Sequence, residues 1–246
     1  MNSYYYDLHI HSCLSPCADD DMTPNNIAGM AALKGLQMIA LTDHNSCKNC
    51  PAFFEACKRQ GIIAIAGMEL STAEDIHLVC LFEELEQAME FDAVVSEHLL
   101  NIKNRPEIFG NQLILNGEDE QIGCEEKLLI SSTDLLIADA VELAKKYGAH
   151  IHPAHIDRES NGIIAILGDI PSEYGFDCLE FNDSKNIDAI SERYPHLSAA
   201  KRLVSSDAHY LWDISEADNF VQLDDVPYSS SMVRKRFFEY LKGTNT

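Results

Sequence analysis

Seven short apolar runs rich in β-branched residues, separated by helical patterns, constrain this 246-residue chain more than any other feature. They are Tyr5–Ile10, Met38–Thr42, Ile62–Gly67, Ile76–Phe82, Ala149–Pro153, Cys178–Phe181 and Leu203–Ser206. Runs of this length alternating with helices are the signature of βα units and a mainly parallel sheet, and seven of them point to a barrel rather than an open sheet. The helices carry boundary signals. Thr23 can cap, Pro24 suits a first turn, Ile27, Met30 and Ala31 form an apolar stripe, and Gly35 can close the C-terminus. Pro51 to Gln60 reads as a second helix and Leu135 to Tyr147 as a third, each followed by a glycine and then a strand. A last helix, near Ser231 to Lys242, places Val233, Phe237, Tyr240 and Leu241 on one side and is expected on the barrel exterior. Residues 83–132 break the pattern with an acidic helical piece and a Gly/Asn/Glu-rich stretch, read as an insertion over the barrel mouth. No linker divides the chain, so residues 1–246 are expected to form one domain.

Composition narrows the function. Lys and Arg number 18 against 40 Asp and Glu, a formal charge of −22 that disfavours nonspecific binding to long nucleic acid or anionic membrane. An anionic substrate would need a local positive centre, which bound divalent cations supply. No apolar run is long enough to span a bilayer and no signal-like segment opens the sequence, so the expected location is cytoplasmic. Eight cysteines in such a chain read as reduced thiols.

The chemistry sits where the apolar runs end. His9 and His11 in Asp7-Leu8-His9-Ile10-His11 are two apart on an extended chain and share a face, as two imidazole donors to one cation or as two polar residues of an edge strand. His44 follows the second run, between Asp43 and Asn45, which could equally form a capping turn. Glu69 follows the third, where its two oxygens could bridge two cations or it could be an ordinary loop acid. His77 stands inside Ile76-His77-Leu78-Val79 as a ligand or a satisfied core histidine. His150, His152 and His155 crowd the fifth run, and Asp207 and His209 end the seventh, again two apart. Each element is weak alone, but in a β/α barrel the strand ends meet at one face and convert this succession into one pocket.

The ordered set DLHIHS, TDHN, the Glu of GMELS, a His-bearing fourth strand, PAHIDR and SDAH resembles the PHP (polymerase and histidinol phosphatase) family over nearly the whole chain outside residues 83–132. The resemblance implies a distorted seven-stranded, TIM-like β/α barrel holding two or three divalent metal ions, with Zn, Mn or Fe favoured and Mg as a further candidate. It implies His9, His11, Glu69 and Asp207 around a first ion, Glu69 bridging to a second held by His77 and His155, and His44 and His209 on a third, with His152 a rival to His155. The final ligand of the third ion falls to Cys17 or Asp19, where the chain departs from the family's usual text. Cys13, Cys17, Cys47 and Cys50 could also form a separate thiolate site, although packed free thiols account for them as well.

The implied activity is metal-dependent hydrolysis of a phosphate ester by a hydroxide bridging two cations, with Arg158 neutralising charge on the phosphoryl oxygens and His209 or Asp207 handling the proton. The substrate would be a small phosphorylated molecule or a nucleotide or oligonucleotide, bound between the insertion and the loop after Arg158. Two alternatives share the motifs: a metal-binding regulatory module without turnover, and an amidohydrolase-type enzyme acting on C–N bonds. The sequence carries no signal for oligomeric state.

Overall fold

The computed structural model describes residues 1–226 and 228–243. In chain order the strands and helices are β1 (Asn2–Ile10), α1 (Pro24–Leu33), β2 (Met38–Leu41), α2 (Cys50–Gln60), β3 (Ile63–Ser71), β4 (His77–Phe82), α3 (Leu85–His98), α4 (Pro106–Phe109), β5 (Leu113–Leu115), β6 (Gln121–Cys124), α5 (Ile137–Lys146), β7 (His150–Pro153), α6 (Ile163–Leu167), β8 (Cys178–Phe181), α7 (Ile187–Arg193), β9 (Lys201–Val204), β10 (Phe220–Leu223) and α8 (Ser230–Leu241). All seven apolar runs form strands. The helix signals act as read: the Thr23 side chain accepts from Asn26 N at 3.3 Å, and α2 ends on Gly61 in the left-handed region at φ 70°.

A curled six-stranded sheet runs β10-β1-β2-β3-β4-β7, and β8 and β9 form a parallel pair. Two seams wrap these into a distorted β/α barrel. Ile156 N donates to Glu180 O at 2.9 Å on one side, and His11 N donates to Ala208 O at 2.9 Å on the other. The sheet is not mainly parallel, because β4 runs antiparallel to both β3 and β7, and β10 antiparallel to β1. Residues 72–76 are the whole connection between β3 and β4, enough for a turn but too short for the crossover a parallel pair needs. The reversal has a functional result. His77 opens β4 rather than ending it, and it lies opposite Ser71, at the same barrel end where β3 finishes.

Two large apolar clusters fill the described structure, and a third, small one gathers Leu14, Leu99 and Leu129. One large cluster lies beneath the helices, with Ile27, Phe53, Phe91 and Val141 facing the outer side of the sheet. The other gathers Leu8, Ile65, Val79 and Leu203 with Val233, Phe237, Phe238 and Leu241 of α8. That helix therefore packs in the cluster opposite the one beneath α1, α2, α3 and α5 instead of beside them on the exterior. Leu8 and Ile10, two apart, fall in different clusters, and the β1–β2 register shifts between Asp7 and Ile10. A shift of this kind re-aims side chains at a strand end.

The 83–132 segment supplies α3, which packs on the sheet through Ala88, Phe91 and Val95, and the β5–β6 hairpin, an addition to the seven strands read from sequence. Leu113 N donates to Cys13 O at 2.8 Å, and Leu99 and Leu129 bury Leu14, so the segment grips the loop after β1. Among the described residues no helix is long and apolar enough to cross a membrane.

Candidate metal centre

The strands deliver one carboxylate into a ring of imidazoles. Glu69, 1% exposed, has Oε1 at 2.8 Å from His77 Nδ1, 3.1 Å from His155 Nε2 and 3.4 Å from His9 Nε2. Its Oε2 lies 2.9 Å from His44 Nδ1 and 3.3 Å from His11 Nε2. Asp207 Oδ1 closes the other side, 3.0 Å from His11 Nε2 and 3.3 Å from His9 Nε2.

Local backbone chemistry holds these groups in place. Glu69 N donates to Asp43 O and Asn45 N to Glu69 O, clipping the turn after β2 to the end of β3 and presenting His44 to Glu69. Asp43 accepts from Ser12 N, Ser12 Oγ and Ser15 Oγ, each at 2.7 Å, so it and Asn45 build the turn while His44 enters the site. Asp7 ties the segment after β9 to β1 by accepting from Ser206 Oγ at 2.6 Å and Ser215 N at 2.9 Å. Asn45, His155 and Asp207 all adopt positive φ, at 49°, 29° and 54°. Such conformations persist where surrounding contacts over-determine them, and here they border the carboxylate–imidazole cluster.

Sequence reasoning missed Glu180. It is 1% exposed on β8, with Oε1 2.8 Å from His9 Nδ1 and accepting from His155 N at 3.1 Å. One carboxylate thus fixes both a ring on β1 and the backbone of the loop after β7, which is how outer partners orient metal-ligating histidines. The available signal was a charged residue inside the apolar run Cys178–Phe181.

The electrostatics describe a site balanced by protons. Burial alone would lower the His11 pKa, but the Asp207 and Glu69 carboxylates beside it override this and push it up to about 9. His9 is likewise raised well above its ordinary value against its burial, by Glu180, Asp207 and Glu69. Burial keeps His44 neutral, lowered to about 4, and His209 lowered to about 3. Against their own burial, Glu69, Asp207 and Glu180 are held below the carboxylate range by the surrounding imidazoles.

These residues fit divalent cations. Glu69 Oε2, Asp207 Oδ1 and His44 Nδ1 are buried and make no hydrogen bond, although His44 Nδ1 and Glu69 Oε2 are only 2.9 Å apart. Such atoms aim at shared points rather than at one another, and buried polar atoms left this way are rare unless an ion or water serves them. Three groups have ligand atoms all within 4.8 Å of one another: His9, His11, Glu69 and Asp207; His44, Glu69 and His77; and His11, His44 and His209. His155 reaches Glu69, whereas His152 Nε2 lies 3.8 Å from Glu180 and neither of its ring nitrogens has a hydrogen-bond partner.

Cys17 and Asp19 stand outside these groups. Both are exposed, and the Asp19 carboxylate accepts from Asp21 N at 2.8 Å while its own N–H donates to His209 O. The cysteines do not assemble into a thiolate site: Cys47 Sγ donates to Gly67 O inside the core, Cys13 Sγ faces Leu113 O, and all eight thiols are free. Arg158 donates to Asp207 Oδ2 and, through Nη2, to Asn182 Oδ1 at 3.1 Å. It shares with Ser160 and Asn161 the rim of a cavity of about 150 Å³ whose floor is the imidazole ring and its two carboxylates. The loop after Arg158 lines this cavity as anticipated, while the 83–132 segment contributes none of its lining residues.

Fold and site together define a β/α barrel built around a His-rich, carboxylate-bridged cradle for cations. A family model described as PHP domain matches residues 7–201, and the chain belongs to that family. Over 79 residues, 31% of this chain, it is 35% identical to a 5'-3' exoribonuclease of Haemophilus influenzae. Among solved structures it resembles a lesion-specific endonuclease from Pyrococcus furiosus, with a TM-score of 0.68 and 21% identity over 99% of this chain. It also resembles an amidohydrolase from Chromobacterium violaceum, with a TM-score of 0.61 and 17% identity over 97% of this chain and 96% of that one. The chain spans 28% of the exoribonuclease and 57% of the endonuclease.

Proposed function

We propose that the protein is a metal-dependent phosphoesterase acting on a nucleotide or on the end of an oligonucleotide. The observation that carries this is Glu69, whose two oxygens lie within 3.4 Å of five imidazoles while Oε2 makes no hydrogen bond. His9, His11, Glu69 and Asp207 would hold one cation, His77 and His155 with Glu69 a second, and His44 and His209 a third. When bound, such ions acidify water and polarise phosphoryl oxygens.

The chain's own residues do the rest. Arg158, pinned by Asp207 and Asn182 at the rim, meets the phosphoryl oxygens and neutralises their charge. His209 Nδ1 is held 2.9 Å from Asp207 O, which leaves Nε2 as the nitrogen that would face the third cation. A cavity of about 150 Å³ is smaller than sites that enclose whole organic ligands, so it takes the phosphate and leaves the remainder of the substrate at the mouth. The charge of −22 favours a small nucleotide or a strand end over a long duplex. An Endonuclease Q solved with a duplex substrate carrying an abasic lesion at its active site, which this chain resembles with a TM-score of 0.65 and 20% identity, supports nucleic-acid phosphate as the substrate class.

Metal-reconstituted protein assayed for phosphate release on a panel of phosphomonoesters and phosphodiesters, with His9→Ala as control, tests the reading. Turnover that disappears in the variant is expected. Equal activity in both proteins would discredit it, and amide hydrolysis without phosphate release would move the protein to another class.

A further inference from the structure

Beside the metal cavity lies a second and larger one, of about 350 Å³, and Arg158 lines both. Its walls are Ile156, Ile164 and Ile190 on the apolar side and the Arg193–Tyr194 pair on the other. The Arg193 guanidinium sits 5.3 Å over the Tyr194 ring, and the Tyr194 hydroxyl is anchored by donating to Gly168 O at 3.1 Å. Arg193 is exposed and makes no ion pair or hydrogen bond among the described residues, in a chain where acids outnumber Lys and Arg 40 to 18. Of the two carboxylates in its lining, Asp157 accepts from Asn182 N at 2.9 Å and Asp183 N at 3.0 Å, and Glu159 is exposed.

Resting on the phosphoesterase reading above, we propose that this second cavity binds the nucleobase of the substrate whose phosphate occupies the metal cavity. The chemistry selects the occupant. A sugar or polyol needs paired donors and acceptors that isoleucine walls lack, and an aliphatic chain gains nothing from an unpaired guanidinium. A flat heteroaromatic base fits both surfaces: its faces stack on a guanidinium already backed by tyrosine, its edges meet isoleucine, and its phosphate brings the charge complement to Arg193 and Arg158. The shared Arg158 sets phosphate and base on opposite sides of one side chain, so Arg193, Ile164 and Ile190 determine specificity without touching the reacting atoms.

The experiment compares AMP with β-glycerol phosphate on the metal-loaded protein, using their methyl esters if only diesters turn over. Arg193→Gln removes the stacking cation, and Ala165→Trp fills the cavity from an exposed position on its wall. Each is expected to raise KM for AMP on the order of tenfold, the size of a lost base-stacking contact, and to leave glycerol phosphate unchanged. Equal effects on both substrates, or none on AMP, would overturn the pocket while leaving the phosphoesterase reading intact. If no ester turns over, that reading has failed first. Calorimetric binding of AMP then decides the pocket: loss in Ala165→Trp supports it, and unchanged binding overturns it.

Discussion

The chain contains the tripeptide His-Ile-His twice, as His9-Ile10-His11 at the end of β1 and His150-Ile151-His152 in β7, and the two copies have opposite fates. Both are buried, and both place two imidazoles on one side of a strand. At β1, both Nε2 atoms converge on Glu69 and Asp207, and the carboxylates raise the pKa of both rings. At β7, His150 Nε2 and both His152 nitrogens have no hydrogen-bond partner, and burial drives the His150 pKa well below its ordinary value. Spacing on a strand therefore brings two rings together, but only carboxylates arriving from other strands give a ring pair the surroundings that suit a cation.

Replacing one ring from each copy tests this contrast most strongly. His11→Ala is expected to lower bound metal per chain and to reduce phosphoester turnover more than about 100-fold, beyond the range typical of outer partners. His150→Leu is expected to leave metal content unchanged and to be neutral or stabilising by up to about 1 kcal/mol, because it removes a buried polar atom without a partner. Elemental analysis and a denaturant midpoint on both variants give the comparison, and metal loss in His150→Leu would break it.

Glu180 connects the two copies, since it holds His9 Nδ1 at 2.8 Å and stands 3.8 Å from His152 Nε2. Glu180→Gln keeps the shape and removes the charge, so metal affinity is expected to fall about 10- to 100-fold with the fold retained. Competition with a chelator measures the fall, and an unchanged affinity would reduce Glu180 to a packing role.

Gly67 sharpens the contrast from the strand below the site. A Cβ there would lie 2.8 Å from Thr42 Cγ2 and 2.9 Å from Cys80 O, so β2, β3 and β4 approach closely only around glycine. Gly67→Ala is expected to destabilise by about 1–3 kcal/mol and to weaken metal binding by displacing Glu69, measured by thermal melting with and without Zn.

The smallest effect is in protons. On the proposed ligand set, cations displace protons from His9 and His11, so metal affinity is expected to rise with pH toward about 9, and calorimetry in two buffers is expected to show net proton release at pH 7. The same raised values stabilise the metal-free fold fully below about pH 6.5, a contribution lost as pH climbs through about 9. Alkali should therefore weaken the metal-free protein over the range in which it strengthens the loaded one. His150→Leu should leave the proton release unchanged, because that ring stays neutral.

Much of this was readable along the chain. Apolar runs bounded by glycine and proline mark where the strands lie, and polar residues just beyond them name Glu69, Asp207 and most of the imidazoles, because burial and propensity are local properties. Strand direction is not local in this way: the brevity of residues 72–76 reverses β4 and carries His77 to the same end as Glu69. Nor could spacing single out Glu180 inside an apolar run, or show that a left-handed His155, rather than His152 in the strand, reaches Glu69. The sequence by itself determined which segments are buried and which chemical groups are available, since each follows from the residue and its near neighbours. Tertiary structure alone decided which of those groups meet, because a meeting point depends on register and strand direction across contacts far apart in the chain.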